Sequence, residues 1–138
     1  METNAHVHVL VVDDDPFMLE LMRDMLETAG ASKVTTAPSA RAGLGALHGR
    51  PELLICDLSM PDMDGIEFLN AAAASGYDGS VLLLSGMDKG VLQAAKGLAA
   101  AQGLRVLGAY AKPMGLAELR AAVDAAGCAG RLRPGSAA

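Results

Sequence analysis

Four short apolar runs, each ended by polar residues, constrain the fold of this chain more than any other feature. With the polar residues that follow them, they are Val9–Val12 before Asp13 and Asp14, Leu53–Cys56 before Asp57, Val81–Leu84 before Ser85, and Val106–Ala111 before Lys112. Continuous apolar runs of this length are typical of strands that are buried on both faces of a parallel sheet. The sequence therefore predicts a sheet whose strands end in acid, acid, hydroxyl and amine.

Helical patterns separate these runs, so strand and helix alternate five times along the chain. A short β-branched segment, Lys33–Ala37, supplies a further strand. The predicted helices are Pro16 to Gly30, Ser39 to His48, Ile66 to Ser75, Lys89 to Gln102, and Leu116 to Ala126. In the first helix, the apolar residues Phe17, Leu21, Met25 and Leu26 recur at helical spacing. This alternation indicates an α/β fold with a parallel sheet covered by helices on both faces.

Composition limits the classes of function. A chain of 138 residues with 51% hydrophobic and 20% charged residues is expected to form one globular domain. The formal net charge of −5 gives no basic surface for nucleic acid or anionic lipid, so neither is expected as a direct partner.

The expected compartment is the cytoplasm. Cys56 and Cys128 have no CxxC spacing and are interpreted as buried or incidental thiols. No stretch approaches the roughly 18 apolar residues of a membrane span, and the N-terminus lacks the features of a signal peptide. We therefore expect a soluble protein that is not exported.

The carboxylates predict a metal site. The carboxyl ends of parallel strands meet at one edge of the sheet, where ligands bind, so Asp13, Asp14 and Asp57 should lie close together. Carboxylates that are gathered in this way repel one another unless a hard cation or protons lie among them. The residues themselves therefore indicate a divalent-metal site at this edge.

Four motifs in order, VVDDDP, ICDLSMPDMDG, LLLSG and AKP, resemble the receiver domain of two-component response regulators. The resemblance runs from about Val7 to about Gly127, which leaves residues 128–138 as a C-terminal tail or linker. It implies a doubly wound, flavodoxin-like sheet of five parallel strands in the order 2-1-3-4-5. The interval from Ser85 to Lys112 is long. Together with the segment LRVLGAYAKPM, it resembles receivers found ahead of EAL-type cyclic-di-GMP phosphodiesterase domains.

The resemblance also implies a role for each site residue. Asp57 would be the phosphoacceptor, and Ser85 and Lys112 would contact the phosphoryl oxygens. Mg²⁺ would be held by Asp14, Asp57 and the backbone carbonyl of Ser59, with Asp13 acting mostly through a water molecule. For the neighbouring Asp15, capping of the first helix is favoured over metal ligation.

The function that follows is a phosphorylation-activated signalling switch rather than a metabolic enzyme. The chain would accept a phosphoryl group from a histidine kinase or phosphotransfer protein and hydrolyse it itself. Helix 4, strand 5 and helix 5 would contact a downstream effector or a second copy of the chain. One alternative is a Mg²⁺-dependent phosphohydrolase with an aspartyl-phosphate intermediate, but Ser59 stands where such enzymes carry a second acid. Another is a binding module that has lost phosphorylation, against which Asp57, Asp14 and Lys112 argue.

One residue departs from the family pattern. Many receivers carry an aromatic residue three positions before the lysine, but Ala109 occupies that position and Tyr110 follows it. A shift of one residue along a strand reverses the face on which a side chain lies. Tyr110 is therefore predicted to face away from the usual side, unless a bulge restores the register.

Overall fold

The computed structural model describes residues 7–58, 65–86, 89–111 and 114–131. The strands are β1 (His8–Val12), β2 (Lys33–Ala37), β3 (Leu53–Asp57), β4 (Ser80–Ser85) and β5 (Arg105–Ala111). The α-helices are α1 (Pro16–Thr28), α2 (Ala40–Ala46), α3 (Gly65–Ala74), α4 (Lys89–Ala101) and α5 (Leu116–Arg131), and a 3₁₀ turn at Leu47–Gly49 follows α2. In this part of the chain, no helix is both long and apolar enough to cross a membrane.

All strand pairs are parallel, and the strand order is β2-β1-β3-β4-β5. This confirms the predicted doubly wound order. The register aligns the carboxyl ends of the strands, because Asp57 of β3 lies opposite Leu84 of β4, and Ser85 lies opposite Ala111 of β5. Residues that follow β1, β3, β4 and β5 therefore reach the same edge of the sheet.

The core lies in two layers, one on each face of the sheet. Alternate residues of each strand point to opposite faces. In β3, for example, Leu53 and Ile55 pack towards α1 and α5, whereas Leu54 and Cys56 pack towards α2, α3 and α4. Every residue of β3 and β4 is buried. Continuous burial explains why these strands appear in the sequence as unbroken apolar runs.

The apolar residues of α1 lie on two sides of the helix, and only one of these sides is buried. Leu19, Met22 and Leu26 are buried in the core, whereas Phe17 is 71% exposed and Leu21 is 37% exposed. Helical spacing of apolar residues therefore does not place Phe17 and Leu21 in the core. Both sides of this helix carry large apolar residues, so periodicity alone does not identify the side that faces the sheet.

The helix ends agree with the predicted ones to within about two residues, except in α5. This helix continues to Arg131, five residues beyond the predicted end at Ala126. Gly127 and Gly130 suggested an earlier end, but glycine costs only about 1 kcal/mol in a helix, and Ala126 is packed in the core. The division into a domain over 7–127 and a tail over 128–138 stays a prediction, and residues 132–138 lie outside the described ranges.

His8 ties the start of β1 to its neighbours at the amino edge of the sheet. Its backbone N–H donates to Glu52 Oε1 at 2.7 Å, and its Nε2 lies 2.8 Å from Thr35 Oγ1. Burial lowers the pKa of the imidazole, and the charge of Lys33 acts in the same direction. Glu52 and a hydrogen bond with the backbone of Gly49 oppose this shift without cancelling it. The fold therefore favours neutral His8.

This preference makes part of the stability depend on pH. Because the pKa of His8 is lower in the folded state, the unfolded chain binds more protons as pH falls below about 6.5. The stabilisation should be complete above that pH and be lost as pH falls through the folded pKa. We expect His8→Gln to flatten this part of the pH profile, measured by urea unfolding at several pH values. The exposed His48 provides the control: if His48→Gln flattens the profile equally, His8 is not the responsible group.

Candidate metal centre at the carboxyl edge of the sheet

Three carboxylates converge at the carboxyl edge. Asp13 and Asp14 directly follow β1, and Asp57 is the last residue of β3. One oxygen from each of the three side chains lies within 4.8 Å of the others. Asp13 and Asp57 are each 2% exposed, and Asp14 is exposed. The sequence prediction that these residues lie together is confirmed, and the cluster is open to solvent on the side of Asp14.

The chain after β1 is held in a tight turn. The backbone N–H of Asp13 donates to Ala37 O at 3.1 Å, which ties the turn to the end of β2. Asp13 Oδ1 accepts a hydrogen bond from the backbone N–H of Asp15 at 2.9 Å. Asp15 in turn caps α1, because its Oδ1 accepts from the backbone N–H of Phe17 at 3.0 Å. The predicted capping role of Asp15 is confirmed, and the turn directs only Asp13 and Asp14 to the cluster.

The electrostatics of the cluster favour a cation. Ionised carboxylates at this separation repel one another, and burial of two of them reduces screening by water. A neighbouring thiol responds to the same environment: burial raises the pKa of Cys56 far above its usual range, and the charges of Asp57 and Asp13 act in the same direction. Oxygen ligands of this kind suit a hard divalent ion such as Mg²⁺. The donor set fits the predicted metal.

Ser85 is brought to the same edge. It is the last residue of β4 and is fully buried, and it directly follows Leu84, the partner of Asp57 in the sheet. The backbone N–H of Leu58 donates to Leu84 O at 2.9 Å, so pairing continues past Asp57. Two other predicted site residues, Ser59 and Lys112, lie outside the described residues. Their roles stay predictions.

Tyr110 lies on the face of the sheet opposite to Ser85. It pairs with Leu84 and packs against the core on the side of α1 and α5. Ala109 pairs with Leu83 and packs on the other side, towards α4. The ladder contains a register shift between Val81 and Leu82, and this shift places Tyr110 on the face away from Ser85. Tyr110 therefore faces the predicted side, but because of a bulge and not in the absence of one.

Sequence reasoning missed an apolar surface beside the cluster. Phe17 and Leu21 lie four residues apart on α1, so their side chains share one face of the helix. Phe17 is three residues after Asp14 in the sequence, and its backbone N–H donates to the cap residue Asp15. Its exposure of 71% is high for a large apolar residue. The sequence also contains the alternative spacing Leu19–Met22–Leu26, which fills the buried side of the helix, but only packing against the sheet distinguishes the two sides.

Comparison with known proteins agrees with this geometry. Residues 9–124 match the model of the family described as "Response regulator receiver domain". The chain is 31% identical to the probable chemotaxis protein CheY of Rhizobium etli, over 91% of this chain and 95% of that protein. It is 32% identical to the cyclic di-GMP phosphodiesterase RocR of Pseudomonas aeruginosa, over 83% of this chain but 30% of that protein.

A solved structure shares the whole fold. The crystal structure of a response regulator from Colwellia psychrerythraea superposes with a TM-score of 0.75 at 32% identity, covering 89% of this chain and 98% of that one. The chain spans 53% and 29% of the length of two further curated relatives. The similarity to RocR agrees with the expected likeness to receivers that precede phosphodiesterase domains. The chain belongs to the response regulator receiver domain family.

Proposed function

We propose that this protein is a phosphorylation-activated switch of two-component signalling in the cytoplasm, with Asp57 as the phosphoacceptor. One observation carries the proposal: the side chain of Asp57, at the end of a buried central strand, lies within 4.8 Å of the carboxylates of Asp13 and Asp14. A nucleophile fixed beside a cation site is the arrangement that phosphoryl transfer requires, because positioning and charge neutralisation supply most of the catalysis.

The chemistry assigned to Asp57 is nucleophilic. An oxygen of its carboxylate attacks the phosphorus of a phosphohistidine, a P–O bond forms, and the P–N bond breaks with its electron pair going to the imidazole nitrogen. Water later attacks the acyl phosphate, which restores the Asp57 carboxylate and releases inorganic phosphate. Both steps take place on the protein itself, so no metabolic substrate is turned over.

Four groups would hold a Mg²⁺ ion at this edge: the carboxylates of Asp13, Asp14 and Asp57, and the backbone carbonyl of Ser59. The bound ion would neutralise charge on the transferring phosphoryl group. The hydroxyl of Ser85 and the ammonium of Lys112 would each bind a phosphoryl oxygen. Engagement of Ser85 biases a two-state equilibrium of the surface formed by α4, β5 and α5. That surface would bind the downstream effector or a second copy of the chain.

The exposed apolar pair of α1 supports a protein as the phosphodonor. A donor must bring its phosphohistidine to the carboxyl edge, and α1 starts there, directly after the cluster. Phe17 lines a groove between α1 and β2, together with Pro16, Leu19, Glu20, Arg23 and Thr36. An exposed aromatic residue in a groove is a typical anchor of a protein interface. We assign this surface to the histidine kinase or phosphotransfer protein.

The first prediction concerns the acceptor. Asp57→Asn should abolish incorporation of a phosphoryl group from acetyl phosphate with Mg²⁺, because an amide of nearly the same shape has no nucleophilic carboxylate. Intact-protein mass spectrometry measures the incorporation, and Asp24→Asn, at an exposed position of α1, should label as the wild type does. Equal labelling of Asp57→Asn and the wild type would sink the assignment.

A second prediction concerns the metal. If Mg²⁺ binds only the folded state, it should raise the stability of the wild type by mass action, by about 2.7 kcal/mol at roughly 100 times its Kd. Asp14→Asn should weaken this response, and should raise the melting temperature without metal because one source of repulsion is removed. Thermal melts across Mg²⁺ concentrations measure both effects. Asp15→Asn is the matched control, since Asn also caps helices and Asp15 lies outside the cluster. An unchanged metal response in Asp14→Asn removes that residue from the site.

A third prediction separates docking from chemistry. Phe17→Ala should slow transfer from a phosphorylated phosphotransfer protein by roughly tenfold, equivalent to about 1.4 kcal/mol. Labelling by acetyl phosphate should be unchanged, because a small donor needs no docking surface. Leu98→Ala removes an apolar side chain that is 46% exposed on α4 and should alter neither reaction. If Phe17→Ala slows both donors equally, the residue acts on the site and not on docking.

A further inference from the structure

The edge strand β5 contains one residue that has no pairing partner in the neighbouring strand β4. Val106 lies opposite Val81, but the next residue of β4, Leu82, lies opposite Gly108. Leu107 is therefore the extra residue of a β-bulge. A bulge of this kind changes which face each later side chain occupies, because alternation along a strand has a period of two.

The bulge decides the position of Tyr110. If β5 continued regularly from Val106, Tyr110 would lie opposite Ser85, on the face that packs against α4. With the bulge, Tyr110 lies opposite Leu84 and packs against the core that contains residues of α5. Ala109, a small residue, occupies the α4 side instead. The aromatic ring is thereby excluded from the side on which Ser85 lies.

The ring lies back along the strand, over Gly108. A Cβ atom added to Gly108 would lie 2.8 Å from Cε2 of Tyr110 and 3.1 Å from its hydroxyl oxygen. Real Cβ contacts are almost never this close, so the ring occupies the space that any larger residue at position 108 would need. The absence of a side chain at Gly108 lets Tyr110 fold back over the backbone of β5.

We propose that Tyr110 couples the acceptor edge to α5, and that the bulge at Leu107 makes this possible by placing Tyr110 on the face of the sheet that α5 covers. Tyr110 directly precedes Ala111, which pairs with Ser85, so a displacement of the end of β5 moves the ring. The core against which the ring packs includes Met114, two residues before α5, and Leu119, in the first turn of that helix. Movement of α4, by contrast, is transmitted through the backbone of β4, whose last residue is Ser85, and does not need the ring. This coupling rests on the proposed phosphorylation of Asp57.

Amide chemical shifts with and without beryllofluoride, a mimic of the phosphoryl group, test the coupling in the full chain with Mg²⁺. In Tyr110→Ala we expect the shift changes across residues 116–131 to fall to less than about half of those in the wild type. The changes across residues 89–101 should persist. Ser85→Ala should reduce both sets, because it acts before the two routes separate.

A matched pair of glycine variants tests the ring position independently. Gly108→Ala should displace the ring and reproduce the selective loss in α5. Gly97→Ala, in α4, places its Cβ where no atom lies within 4 Å and should leave both responses intact. Retention of the full α5 response in both Tyr110→Ala and Gly108→Ala would overturn the coupling while leaving the proposed function in place.

Two other outcomes also contradict the proposal. Loss of the α4 and α5 responses to the same extent in Tyr110→Ala would mean that the ring serves the acceptor site as a whole. A wild-type protein that shows no Mg²⁺-dependent response to beryllofluoride would overturn the proposed function itself, and the coupling with it.

Discussion

Repulsion between carboxylates at one edge of the sheet is the constraint on which the rest of this structure depends. Asp13 and Asp57 are almost fully buried, with ligand oxygens no more than 4.8 Å apart. If both are ionised, their repulsion is at least about 3.5 kcal/mol at an effective dielectric constant of roughly 20. The free energy of unfolding of a small domain is typically only about 5–15 kcal/mol, so this repulsion is large by comparison. Such an arrangement persists only where the surrounding fold enforces it.

The enforcement comes from the sheet. β1 and β3 are neighbours in its centre, and their residues are buried on both faces, so neither strand can move its end away from the other. The turn after β1 adds to this restraint, because Asp13 is bound through its own N–H and through Oδ1. Well-packed hydrophobic layers thus hold acidic groups together against their repulsion, which favours binding of a cation among them.

The sequence predicted those features that depend on local pattern or on the ends of buried strands. The sequence predicts β2 at Lys33–Ala37 and the start of α1 at Pro16, as observed, because β-branched residues and a first-turn proline are direct local signals. The convergence of Asp13, Asp14 and Asp57 followed from strand ends alone. The exposed side of α1 did not follow, since its two apolar faces are distinguished only by packing against the sheet. Neither did the bulge at Leu107, because the pairing of β5 with β4 is a property of two strands and not of one.

The contrast between the two cysteines has a practical consequence. Cys56 is buried in β3 with its thiol held in the protonated form, whereas Cys128 is exposed on α5. Thiol-directed reagents attack the thiolate, and they need access to it. A maleimide dye or nitroxide will therefore attach to Cys128 alone while the protein is folded. The native sequence thus carries a single attachment point for a spectroscopic label on α5, and the label requires no cysteine substitution near the acceptor.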